Sequence, residues 1–130
     1  MTRYLIKIGE MSLKGNNRSF FEKILKNNIK MRLPKGSRVY GRFGRFFAET
    51  DAPSDEVRTI LSSTFGITWF VEAFPVRKDM DEITRAALKI AERVSSTIPG
   101  GTFKVEAKRL DKGFPLRSYD IACEIGRAHV

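Results

Sequence analysis

Directly after the strand-like run Tyr4-Leu5-Ile6-Lys7-Ile8, the chain reads Gly9-Glu10-Met11-Ser12-Leu13-Lys14-Gly15-Asn16-Asn17-Arg18 and then enters a helical pattern. That order sets backbone donors, amides and cations beside a helix N-terminus, where anions are favoured. Arg18 offers a planar fork for two phosphate oxygens, Lys14 a point charge and Asn17 a neutral donor. Asn16 and Asn17 are equally suited to a turn that caps the helix. Gly9 and Gly15 lack the P-loop spacing and the Lys-Ser/Thr that follows it, so nucleotide hydrolysis is not the leading chemistry.

A second cationic cluster follows Gly101. Lys104, Lys108, Arg109, Lys112 and Arg117 lie within fourteen residues, against Glu106 and Asp111. Lys104 and Lys108 fall on one side of an alternating segment. Arg109, Lys112 and Arg117 extend that side into a cationic edge suited to the phosphates of a nucleic acid. Phe114 either stacks a base or fills a core beside Pro115. Arg38, Arg42 and Arg45 flank a hairpin and either continue the track or form a solvated face.

The whole composition agrees in sign. Twenty-four Lys and Arg against fifteen Asp and Glu leave a net charge of +9 over 130 residues. Such a balance favours a polyanionic partner, nucleic acid first, over an acidic metabolite, although a merely solvated basic surface has the same charge. The lone Cys123 rules out an internal disulfide framework, and its apolar-periodic surroundings assign it to packing. No Cys/His cluster has metal-ligand spacing, and His129 has no Asp, Ser or Cys partner nearby in sequence. No residue pattern here points to a catalytic group or a metal ligand. No window approaches the roughly 18 apolar residues of a membrane span, and no signal peptide is evident, so a cytoplasmic, reducing location is expected.

These residues must be carried by elements. Arg3–Ile8 reads as a strand. A helix follows from Ser19 and Glu22, which match a capping box, with Phe20, Phe21, Ile24, Leu25, Ile29 and Leu33 at helical spacing. Pro34-Lys35-Gly36 stops it. Arg38–Phe43 and Arg45–Thr50 form a hairpin about Gly44. Ser54 caps a second helix with Val57, Ile60 and Leu61 on its buried stripe, and Phe65-Gly66 ends it. Ile67–Val76 is a strand. The order βαββαβ is ferredoxin-like and defines a domain over residues 1–76.

Residues 77–130 start again. Asp79 or Asp81 opens a helix with Ile83, Ala86, Ala87, Ile90, Ala91 and Val94 in register, and Thr102–Arg109 alternates as a strand. Ser118 caps a last helix using Ile121, Ala122 and Ile125. One helix, one strand and a helix without a stop signal cannot close a core of ordinary size, so this unit reads as cut from something longer.

Several blocks together carry a resemblance: Gly9 to Arg18, Phe20-Phe21-Glu22, Gly44-Arg45-Phe46-Phe47, Phe65-Gly66-Ile67, Thr102 to Arg109, and Lys112-Gly113-Phe114-Pro115. In collinear order over essentially the whole chain, they resemble the N-terminal half of the tRNA 4-thiouridine synthetases of the ThiI family. The resemblance implies an α+β chain, a ferredoxin-like βαββαβ domain followed by a truncated α/β THUMP domain, which binds tRNA at the acceptor stem and 3′ CCA end. It further implies a parent tRNA sulfurtransferase. There, a separate PP-loop domain adenylates uridine 8 with ATP and magnesium, and a cysteine desulfurase supplies persulfide sulfur, in some relatives also for thiamine thiazole synthesis. The PP-loop signature SGGxDS is nowhere in the sequence, so this chain holds substrate and needs no cofactor of its own. Ile8 and Lys7 stand where many members have Tyr and Arg. A homodimer is an open state of assembly.

Three other readings fit parts of the same pattern. Another THUMP enzyme, such as a tRNA methyltransferase, pseudouridine synthase or deaminase, would share the RNA-binding half. A stand-alone acylphosphatase would also pair Arg and Asn at a phosphate loop, and a ligand-sensing module would dimerise through its sheet. Fold alone does not separate these. Charge and the Phe103–Arg117 block favour RNA.

Overall fold

The computed structural model describes residues 1–9, 16–42, 44–97, 100, 104–108 and 113–129. They fall into two units, Met1–Phe74 and Pro75–Val130. In the first, β1 (Thr2–Ile8), α1 (Asn16–Arg32), β2 (Arg38–Arg42), β3 (Arg45–Thr50), α2 (Ser54–Ser62) and β4 (Ile67–Ala73) follow one another. β1 pairs antiparallel with both β3 and β4, and β2 with β3, giving the order β2-β3-β1-β4. That is the ferredoxin-like arrangement read from the sequence.

Period two in the strands meets period 3.6 in the helices on one face of this sheet. Tyr4, Ile6 and Ile8 from β1 and Phe46 and Ala48 from β3 pack with Leu25, Ile29 and Leu33 of α1 and Val57, Ile60 and Leu61 of α2. Each fully buried large aliphatic side chain contributes about 1.5–3 kcal/mol. Arg32, at the end of α1, donates through Nη1 to the Ile60 carbonyl at 2.9 Å and the Thr64 hydroxyl at 2.8 Å, and through Nη2 to the Ser63 hydroxyl at 2.7 Å. One guanidinium thus clips the ends of both helices together.

Among the described residues, the opposite sheet face carries no helix of this unit, and cross-strand register divides it into three rows. Arg38, Glu49, Arg3 and Ala73 form the first; Tyr40, Phe47, Leu5 and Val71 the second; Arg42, Arg45, Lys7 and Trp69 the third. Tyr40 and Phe47 stack at 5.6 Å between ring centroids. Arg3 donates to Glu49 at 2.7 Å, Tyr40 donates to it at 3.0 Å, and Arg38 approaches it at 3.5 Å. Hydrogen bonding from Tyr40 first, and the two guanidiniums after it, hold the Glu49 carboxyl below its ordinary pKa against the opposing effect of desolvation.

Helix starts depart from the sequence reading. α1 begins at Asn16, so Ser19 lies inside its first turn and does not cap it; Glu22, freed from a capping box, accepts the Gly44 amide at 2.9 Å instead. Pro53 occupies the cap position of α2, without a side-chain cap bond, and Ser54 is its first residue. β4 stops at Ala73, short of Pro75.

The second unit holds α3 (Met80–Thr97), in contact with α4 (Ser118–His129). Asp79 opens α3, its carboxylate accepting the Glu82 amide at 3.2 Å. The apolar stripe of α3 is only partly covered: Ile90 and Val94 remain 40% and 47% exposed. Residues 104–108 form no strand ladder, although the reading over Thr102–Arg109 made them one. Val105 and Ala107 are half-buried and Lys104, Glu106 and Lys108 exposed, so the alternation is present. What is missing is a partner strand among the described residues, and a strand is defined by its ladder.

Candidate nucleic-acid interface

The end of β1 is fixed on both sides. Ile8 donates its amide to the Gly44 carbonyl at 2.8 Å, and Gly9 donates to Gly66 at 3.0 Å. Gly44 turns the β2–β3 hairpin at φ +81°, a left-handed conformation that favours glycine. The buried Glu22 carboxylate binds the Gly44 amide through Oε1 and lies 3.5 Å from Arg18 Nε. The first turn of α1, the hairpin turn and the exit of β1 therefore converge, with Arg18 an exposed cation there and Asn17 exposed beside it. An Arg held from one side by a buried carboxylate is pre-oriented while its outer N–H groups remain able to fork onto an oxyanion. Lys14 lies outside the described residues.

In the second unit, Lys104, Lys108 and Arg117 are all exposed. Lys104 pairs with Glu106 at 3.1 Å, as two side chains on the same side of an extended segment can, and Arg117 approaches Asp120 at 3.9 Å. Both pairs are exposed and worth little, so a phosphate can replace the carboxylate. Arg109 and Lys112 lie outside the described residues. Phe114 is half-buried, as is Cys123 on α4. Among the described residues, no group of His, Cys, Asp and Glu could hold a metal ion, and no helix is long and apolar enough to cross a membrane.

The sheet order agrees with a direct comparison. A family model for the ThiI ferredoxin-like domain matches residues 3–71. The chain belongs to that family. Its remaining part matches the THUMP domain model over residues 77–130. Among curated relatives of this ThiI-family chain, a probable tRNA sulfurtransferase of Thermoanaerobacter sp. (strain X514) is 40% identical over 126 residues, covering 95% of this chain and 32% of its own length. The ThiI-family chain thus spans about a third of that relative. Among solved structures, PH1313 from Pyrococcus horikoshii Ot3 is 30% identical with a TM-score of 0.82, covering 99% of this chain and 44% of that one. A 4-thiouridine synthetase in complex with RNA and bound ATP is also 30% identical, with a TM-score of 0.78, covering 98% of this chain and 32% of that one.

Two features of the geometry escaped the sequence. Glu22 serves as the holder of Arg18 and Gly44, a long-range role that the local S-x-x-E pattern disguised. The helix-free sheet face, with Lys7, Arg45 and Trp69 in one row, became visible only once strand register was known. Its signal was the apolar content at both alternations of Tyr4–Ile8 and Ile67–Ala73.

Proposed function

We propose that this chain is the tRNA-binding N-terminal part of a tRNA sulfurtransferase that forms 4-thiouridine at position 8. In the parent, ATP with magnesium activates the uridine in a catalytic domain beyond this chain, and a cysteine desulfurase delivers the sulfur. The observation that carries the reading is the likeness along nearly the whole chain to a 4-thiouridine synthetase bound to RNA. The net charge of +9 supports it.

The residues divide the work by chemistry. Lys104, Lys108, Arg109, Lys112 and Arg117 would neutralise phosphates at the 3′ end, and Lys14, Asn17 and Arg18 would grip the acceptor stem. None performs a bond-making step; together they position the transcript and release its counterions. The cytoplasm, where tRNA is modified, is the matching location.

The test is a titration of the chain with a tRNA acceptor-stem mimic ending in CCA, at several salt concentrations. Affinity is expected to fall steeply with salt. Replacing Lys104, Lys108 and Arg117 with Ala should weaken binding and flatten the log–log salt slope by about one per phosphate contact removed. Salt-independent binding, or an unchanged slope in a folded triple variant, would overturn the assignment.

A further inference from the structure

The helix-free face of the first unit has an apolar centre and a cationic margin. In the middle row, the stacked Tyr40 and Phe47 continue through Leu5 to Val71, which is 49% exposed. In the row beside it, Trp69 is 46% exposed and stands directly opposite Lys7, which in turn stands opposite Arg45. Trp69 is the single tryptophan of the chain. Among the described residues, neither Lys7 nor Arg45 has an ion-pair partner, whereas Arg3 and Arg38 both approach Glu49. Among the described residues, the face thus displays Arg3, Lys7, Arg38 and Arg45 against the single carboxylate of Glu49.

An apolar face alone would suit many partners. Here the sign of the charge and the exposed ring select one. A phosphodiester chain brings negative charge every residue and flat bases between, and unpaired bases stack on aromatic side chains of an open sheet while cations take the phosphates. We propose that this sheet face binds two or three unpaired RNA nucleotides, with bases on Trp69 and on the Phe47-Leu5-Val71 row and phosphates on Lys7 and Arg45. Strands spaced by about 4.8 Å place the two rings on opposite flanks of β1, a span that more than one base is needed to cover. A paired stem cannot use this surface, because its bases stack on each other and expose only their edges.

The proposal rests on the RNA-binding reading only for the class of partner; the surface is a different one from the Lys104–Arg117 cluster. The test follows Trp69 fluorescence in the full 130-residue chain during titration with single-stranded octauridylate, and in parallel with a blunt RNA duplex. Saturable quenching by octauridylate, and none by the duplex, is expected. Trp69→Leu and Phe47→Leu, followed by anisotropy of labelled octauridylate, should each weaken binding about tenfold. Lys7→Gln with Arg45→Gln, both away from the core, should lower the salt slope and guards against a packing defect in the ring variants. Undiminished binding in folded variants would overturn the proposal, as would concentration-dependent self-association that shields Trp69, which would make the face a contact between copies. If the acceptor-stem mimic binds and octauridylate does not, this inference falls and the RNA-binding reading stands. If neither binds, both fall.

Discussion

Glu49 shows how much one side chain can organise. Three donors converge on it from two neighbouring strands, and they keep its carboxyl ionised to lower pH than in an unfolded chain. The sign follows: above the ordinary carboxylate range the contribution to stability is complete, and it is lost as pH falls through the lowered folded value, because the unfolded chain takes up the proton first. Urea midpoints should therefore drop on acidification, and Glu49→Gln should flatten that part of the profile; an identical acid slope in the variant would remove Glu49 as its source. Glu22 teaches the complementary lesson. Its spacing from Ser19 announced a local cap, yet the carboxylate spans twenty-two residues to Gly44, because α1 starts at Asn16 and needs no cap at Ser19.

At the scale of elements, the glycine before β4 sets how closely α1 approaches. Gly66 has φ +99°, and a Cβ there would stand 3.3 Å from Leu25 and 3.4 Å from Phe21. Gly66→Ala is expected to destabilise the first unit by about 1–3 kcal/mol, through backbone strain and displaced side chains, as measured by chemical denaturation. The strands and helices of this unit were legible because each has a clean period: Tyr4, Ile6 and Ile8 by twos, Leu25, Ile29 and Leu33 by turns. Helix starts were not, since adjacent residues compete for a helix cap on small energy differences. The segment 104–108 was read with the right alternation and the wrong state, because pairing depends on a neighbour that no local pattern reveals. For the candidate site, the placement of Arg18 in the first turn of a helix after a strand was legible; the buried carboxylate beside it was not.

The molecule as a whole is uneven. Among the described residues, twelve buried side chains form the core cluster of the first unit, whereas the second buries Ile125 and leaves the α3 stripe partly bare. Amide exchange should accordingly be faster in α3 and α4 than in β1 and α1, and equal protection would contradict that difference in packing. Among the described residues, Lys104 and Lys108 sit in backbone that alternates without a ladder. A transcript that seized those ammonium groups would also have to immobilise the peptide beneath them, so calorimetry of the acceptor-stem titration should record strong exothermicity offset by lost entropy. Selectivity would then be enforced as much by which ligands can order that stretch as by which ligands carry charge.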